Sequence, residues 1–204
     1  MTPLLIATWN KGKRRELQQL LSDLPFALIG LDDIHRLKPV LETGRTFAEN
    51  ARLKARGYAK QSGLLTLADD SGLEVDALRG APGVLSARYA GEGASDPERV
   101  ERLLADLSNV EAPNRTARFV SAVATAFSDG SILNISVGIC EGRIAFGPQG
   151  TGGFGYDPIF IPAGSEITFA ELPPEIKNQL SHRYRAVETA RKFLRSLTRD
   201  STTG

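Results

Sequence analysis

Asp69 and Asp70 are adjacent carboxylates followed by Ser71 and Gly72, a pair small enough to let a ligand approach the backbone closely. A hard cation such as Mg²⁺ is held by a few carboxylates together with phosphate oxygens, and a neighbouring carboxylate can take a proton from an attacking water. Glu42, in Leu41-Glu42-Thr43-Gly44, is a candidate third acidic group. Upstream, the string Thr8-Trp9-Asn10-Lys11-Gly12-Lys13 separates an apolar run from a helical pattern. Backbone N–H groups of such a loop and of the following helix N-terminus can receive a phosphate, to which Lys13 adds a point charge. This is not a Walker A loop, because the leading glycine is absent and Arg14 stands where Ser or Thr follows the Gly-Lys pair. Each string also has a plain structural reading: an acidic turn, a surface turn at Glu42, and strand-to-helix punctuation at 8–13.

Gly152-Gly153-Phe154-Gly155-Tyr156-Asp157-Pro158 places three glycines around two aromatics. A backbone bent in this way can present a flat ring as a platform for a base, whereas a plain core loop seldom needs so much glycine. Lys177, then Ser181-His182-Arg183, supplies cations and hydrogen-bond donors within a short stretch. A capping or core-facing His182 and a solvated Arg183 are the plain alternatives.

The elements that must position these groups are legible from periodicity. Leu4 to Thr8 reads as a short strand, and Leu17, Leu20, Leu21 and Leu24 recur at helical spacing after the loop. Phe47 to Lys60 reads as an amphipathic helix with Phe47, Ala51, Ala55 and Tyr58 on one side, ended by Gly63. Leu64 to Ala68 reads as a buried strand that delivers Asp69 and Asp70 at its C-terminal end, a common ligand position in open α/β sheets. Asp96-Pro97 reads as N-cap and first residue of a helix carrying Val100, Leu103, Leu104 and Leu107. Alternation over Thr116 to Phe127 and at Leu133, Ile135, Val137 and Ile139, with turns at Asp129-Gly130 and Glu141-Gly142, predicts an antiparallel meander ending at Arg143 to Phe146. A last helix starts near Ser181 and packs Ala186, Val187, Ala190, Phe193, Leu194 and Leu197 inward. The stretch from Gly147 to Gly155, with five glycines and one proline in nine residues, reads as a functional loop.

Composition narrows the partners. With 204 residues, 41% hydrophobic and 24% charged, the chain can bury a real core and is not disordered overall. A net charge of +1 leaves no electrostatic footprint for nucleic acid or an anionic membrane, so a small anion met by a local basic cluster is the better ligand. The single Cys140, with only His35 and His182, excludes an internal disulfide and a thiolate or imidazole zinc site, so a metal would be oxygen-ligated. The N-terminus has no basic, cleavable leader and nowhere do about 18 apolar residues run together, so a cytoplasmic location is expected.

Taken together the strings closely resemble the inosine triphosphate pyrophosphatase family, the Ham1-like house-cleaning nucleotide pyrophosphatases, over nearly the whole chain. The anchors are Thr8-x-Asn10-x-x-Lys13, Thr46-Phe47-x-Glu49-Asn50-Ala51-x-x-Lys54-Ala55, Ala68 to Gly72, Ala81-Pro82-Gly83 with Ser86-Ala87-Arg88-Tyr89, Gly152 to Pro158, and Ser181-His182-Arg183. The chain departs from some relatives at Leu41, where they carry an acidic residue just before the position of Glu42.

The resemblance implies an elongated α/β fold with a mixed central sheet flanked by helices, two lobes with a substrate cleft between them, and usually a homodimer. It implies one pyrophosphatase domain over 1–199, with a tail at 200–204 expected to fray. It implies Mg²⁺-dependent hydrolysis of ITP, dITP and XTP to the monophosphate and pyrophosphate. Thr8, Trp9, Asn10, Lys11, Gly12 and Lys13 would hold phosphates and sugar, Lys54 would neutralise phosphate, and Ser71 would touch substrate. Asp70 would be the catalytic base and a metal ligand with Asp69 or Glu42. Phe154, Gly155, Tyr156, Asp157, Lys177, His182 and Arg183 would surround the base. A 6-oxo purine accepts hydrogen bonds where adenine's amino group donates them, so donors at His182 and Arg183 would favour the oxo form. The rivals are the related Maf-like pyrophosphatases of pyrimidine or modified nucleotides, and a nucleotide sensor that has lost catalysis.

Overall fold

Residues 1–200 are described in the computed structural model, with side chains as far as 197. The expected frayed tail at 200–204 therefore lies outside the described residues, apart from the backbone of Asp200. The chain opens with β1 (Thr2–Ile6), whose Leu4, Leu5 and Ile6 are fully buried. Next comes α1 (Lys11–Leu21), whose first turn is closed by the Asn10 side chain accepting the Lys13 backbone N–H at 2.9 Å. A strand not anticipated from the sequence, β2 (Phe26–Gly30), pairs parallel with β1 from Thr2↔Phe26 to Ile6↔Gly30. Helix α2 (Phe47–Ser62) starts at a Thr46 cap and stops at Gly63, whose φ of 69° is the left-handed conformation that glycine adopts without strain.

β3 (Leu65–Val75) runs parallel to β1. It continues five residues past Asp70, so the two aspartates lie inside the strand and not at its end as expected. The continuation depends on Gly72, where a Cβ would stand 2.3 Å from Ser86 Oγ and 2.7 Å from the Gly83 carbonyl. The 3₁₀ segment Gly83–Arg88 thus packs directly on the strand, and Ser86 Oγ accepts the Leu73 N–H at 2.9 Å.

α3 (Asp96–Asp106) is capped by Ser95 in a reciprocal box with Glu98, one residue before the cap expected. β4 (Thr116–Ala126) and β5 (Ile132–Ile144) follow. β5 runs unbroken through Glu141-Gly142, where a turn was expected, and pairs antiparallel with β6 (Phe160–Pro162). The glycine serves the pairing: a Cβ on Gly142 would be 2.3 Å from the Ile161 carbonyl. The sheet order is β2-β1-β3-β4-β5-β6, parallel at its β2-β1-β3 side and antiparallel at β5-β6, hence mixed. The short helix α4 (Pro174–Leu180) and the long α5 (His182–Asp200) complete the α/β fold.

The chain divides into two compact units. The first, residues 1–70, 121–138 and from 183 onward, has a core of Leu4, Ile6, Leu17, Leu21, Phe26, Leu67, Val123, Ala186, Val187 and Leu194. The second, residues 71–120 and 139–182, is built on Leu73, Leu103, Leu107 and an aromatic group in which Phe119 meets Phe160 at 4.6 Å and Phe169 at 6.0 Å. Among the described residues no helix is long and apolar enough to cross a membrane.

Candidate active site

The buried face of α2 is apolar except at Asn50 and Lys54, and Lys54 carries its charge into the first unit. Its Nζ lies 2.8 Å from Asp70 Oδ1 and 3.3 Å from Glu42 Oε2. The loop bearing Glu42 is tied to the first turn of the same helix: Asn50 Oδ1 accepts the Gly44 N–H at 2.8 Å, and Glu49 accepts that of Arg45 at 2.6 Å. The other oxygen of Asp70, Oδ2, is buried and accepts no hydrogen bond among the described residues. A buried carboxylate oxygen without a partner is costly, and it marks a place for a cation or a water.

One residue earlier on β3, Asp69 is wholly buried and surrounded by donors. Lys13 Nζ is 3.1 Å from Oδ2, Ser121 donates its hydroxyl to Oδ1 at 2.5 Å, and Arg183 Nε is 3.5 Å from the same oxygen. The Arg183 guanidinium, itself 2% exposed, is clamped from its other side by Glu16 of α1. Burial works against ionisation of Asp69, but the cations of Arg183 and Lys13 and the Ser121 hydrogen bond outweigh it and hold the carboxyl well below its usual range. Burial lowers the Lys13 ammonium, with Asp69 opposing and Lys54 adding to the fall. Burial also opposes charge on Lys54, yet Asp70 and Glu42 prevail and raise it. The cluster is therefore a set of alternating charges in which Lys13 is the cation least secured.

A metal is expected on Asp70 together with Asp69 or Glu42, and among the described residues no group of three or more His, Cys, Asp or Glu comes together. Asp69 has both oxygens occupied by protein donors. In this arrangement it is a buried counter-charge to Lys13 and Arg183. Asp70, with an unpartnered oxygen, and Glu42, sharing Lys54 with it, suit Mg²⁺, which binds through one or two carboxylates and completes its shell with water and phosphate.

In the phosphate-type loop, Thr8 Oγ1 accepts the Asn10 N–H at 3.2 Å, and the Asn10 amide is committed to the helix cap. Lys11 is exposed and Gly12 half-buried. Trp9 is 49% exposed and donates its indole N–H to Tyr58 Oη at 2.7 Å, which fixes the ring at the loop's surface.

The second unit assembles a separate group, and in it Ser71 is half-buried on β3. Asp157 accepts the Phe154 backbone N–H at 2.8 Å and the Lys177 ammonium at 2.6 Å. Lys177 Nζ in turn sits 4.9 Å from the centre of the Phe154 ring. His182 stacks on Phe119, with ring centres 4.7 Å apart and planes 11° from parallel. The Tyr156 side chain, expected among the substrate contacts, is a core residue: its ring packs in the second core, its hydroxyl donates to the Ser86 carbonyl at 2.9 Å, and burial pushes its ionisation far up.

Four participants went unread in the sequence: Glu16, Ser121, Phe119 as the support of His182, and Asp96, which accepts the Gly155 N–H at 2.7 Å. Glu16 had a signal, a carboxylate one turn after Lys13 beside the inward-facing Leu17. Ser121 had none, since a serine in an apolar strand has many uses.

The Ham1 family profile matches residues 4–193. A dITP/XTP pyrophosphatase from Geobacter sulfurreducens is 48% identical over 194 residues, covering 95% of this chain and 97% of its own. One from Oceanobacillus iheyensis is 42% identical, covering 97% and 100%. Among solved structures, a HAM1 protein from Coxiella burnetii superposes with a TM-score of 0.85 at 43% identity, covering 98% of this chain and all of that one.

Proposed function

The chain belongs to the Ham1 family, and from that premise we propose that it is a pyrophosphatase of dITP, ITP and XTP, releasing the nucleoside monophosphate and pyrophosphate. The observation that carries this reading is the buried Oδ2 of Asp70, which accepts no hydrogen bond among the described residues, in a cluster where Lys54 pairs with the other oxygen of Asp70 and Lys13 with the adjacent Asp69. It offers an anionic oxygen for water and two cations for phosphate within one cluster. Asp70, helped by Glu42, would hold Mg²⁺, which when bound offsets charge on the phosphate oxygens. Asp70 orients a water towards the α-phosphorus and takes up its proton as the new P–O bond forms. The bond from the α-phosphorus to the bridging oxygen breaks in line, and pyrophosphate leaves. Lys13 and Lys54 offset the charge that moves onto it, each contributing roughly 2 to 4 kcal/mol at the transition state. Asp69 takes no part in the proton transfer and keeps Lys13 and Arg183 in place.

The base is assigned to Phe154 and Gly155, with Lys177, His182 and Arg183 as donors and Asp157 holding the Phe154 N–H and Lys177. Donors rather than acceptors reward a 6-oxo purine and leave adenine mispaired. The proposed setting is the cytoplasmic nucleotide pool, from which non-standard purines are removed. The test is pyrophosphate release from ITP, XTP, GTP, ATP and dTTP with Mg²⁺. Release from ITP and XTP at least a hundredfold faster than from ATP is the expected result; preference for dTTP would move the chain to the Maf-like class, and binding without release to a sensor.

We also propose a homodimer that uses the outward face of β5, where Val137 is 52% and Ile139 40% exposed while Ser136 and Cys140 point inward. Light scattering is expected to give twice the mass of one chain for the wild type. Val137→Glu with Ile139→Glu should give the mass of one chain at the same concentration; an unchanged mass would place the dimer contact elsewhere.

A further inference from the structure

We propose that Asp96, together with Arg99, is a positioning residue for base selectivity: it fixes the peptide of the base-facing loop from outside that loop. This rests on the assignment of Phe154 and Gly155 to the base. The loop bends at Gly153 and Gly155, whose φ values of 72° and 64° are left-handed. Two successive N–H groups in the bend are each taken by a carboxylate. The Phe154 N–H goes to Asp157 at 2.8 Å, a contact inside the loop, and the Gly155 N–H goes to Asp96 Oδ2 at 2.7 Å, a contact 59 residues away in sequence.

Asp96 is itself held. It stands in the first turn of α3, and its other oxygen pairs with the Arg99 guanidinium. Arg99 donates onward to the carbonyls of Ala94 and Ala87, the latter at 3.1 Å, so the arginine is fixed by backbone on both sides of the turn that precedes α3. The carboxylate therefore has one orientation, set by three elements of the same unit. A cavity of about 710 Å³ with walls that include Val100, Leu104, Gly150 and Pro158 borders Gly155 beside Asp96. The carbonyl of the same peptide accepts the Asp157 N–H at 3.3 Å, a long contact within the loop, so losing the Asp96 bond removes the shorter of these two holds and lets the Phe154–Gly155 peptide tilt towards the cavity. The Phe154 ring would then leave the place it holds 4.9 Å from the Lys177 ammonium. Asp96 touches neither phosphate nor metal ligands, so its effect is confined to the base.

The test compares Asp96→Ala, Asp96→Asn, Arg99→Gln and Phe154→Ala in the full chain with Mg²⁺. It reads kcat and KM for ITP and GTP, and inhibition by inorganic tripolyphosphate, which has phosphates but no base. Loss of one charge-assisted hydrogen bond predicts a KM for ITP raised roughly tenfold in Asp96→Ala. Its kcat should stay within about twofold, ITP-over-GTP selectivity should fall by a similar factor, and tripolyphosphate inhibition should be unchanged. Asp96→Asn keeps an acceptor for the Gly155 N–H and should recover most of the loss. Arg99→Gln leaves the helix start intact and should show a smaller change of the same kind, which keeps the inference testable if Asp96→Ala fails to fold. Equal losses for ITP, GTP and tripolyphosphate, or unchanged selectivity, would overturn it. Phe154→Ala separates the two levels: if that variant keeps full selectivity, the base assignment itself fails, whereas selectivity lost in Phe154→Ala but kept in Asp96→Ala removes only the role of Asp96.

Discussion

Asp70→Asn is expected to lower pyrophosphate release from ITP by roughly a thousandfold while leaving nucleotide binding in place. Asparagine matches the volume of the aspartate, and its carbonyl can still accept from Lys54 at the 2.8 Å position. What it removes is the anionic oxygen, the one atom in the cluster that is buried and accepts nothing from the described residues. A carbonyl–amide pair neither takes a proton nor holds a divalent cation firmly. The sole tryptophan offers the binding control, because Trp9 lies half-exposed in the loop assigned to phosphate and sugar. Without metal, its emission is expected to titrate with ITP equally in the variant and in the wild type. Activity within tenfold of wild type would remove Asp70 from the chemistry, and loss of the Trp9 response would show that the substitution had damaged binding instead.

Asp69→Ala is expected to act on stability before it acts on rate. The alanine variant takes from the buried Arg183, 2% exposed, the carboxylate that faces Glu16 across it, and from Lys13 its 3.1 Å ion pair, while the like charge of Lys54 stays nearby. Removing one partner of a buried charge cluster costs about 3 to 5 kcal/mol, because the remaining charges stay buried and uncompensated. For a chain of this length that lowers Tm by roughly 10 °C. Asp32→Ala provides the contrast: Asp32 pairs with Arg14 at 2.9 Å, but its side chain is 62% exposed, and a surface pair of that kind is worth less than about 1 kcal/mol. Equal melting temperatures for Asp69→Ala and Asp32→Ala would mean that water enters the cluster and screens it, and the account of Asp69 as a buried hub would fail.

Much of the fold was legible because it rests on local pattern. The stripe of Phe47, Ala51, Ala55 and Tyr58 forms α2 as read, with Gly63 in the left-handed conformation its position required. The last helix begins beside Ser181 and buries Ala186, Val187, Ala190 and Leu194. The misreadings share one cause: a glycine has two uses, to turn the chain and to let another chain come close. Gly142 was read as a turn, and Gly72 as room for a ligand or part of an acidic turn; both lie inside long strands, against Ile161 and Ser86. The alternation at Val137 and Ile139 was likewise read as an ordinary strand face, although the buried side of β5 is the one with Ser136 and Cys140. Periodicity identifies which residues share a face but not which face is covered.

By itself the sequence determined the kinds of groups available: a loop before the first helix with Lys13, paired carboxylates on a buried strand, a glycine-rich bend around Phe154, and cations near the start of the last helix. Those are set by residue type and short-range order. Only the tertiary structure decided how they divide their work. Asp69 and Asp70 are neighbours of the same chemistry, yet alternation along β3 sends one carboxylate to Lys13, Ser121 and Arg183 and the other to Lys54, with one oxygen left over. The pairing of Glu16 with Arg183 and the hydrogen bond from Gly155 to Asp96 join residues 167 and 59 positions apart. Such long-range pairing is fixed by the packing of whole elements, and no spacing within the chain records it.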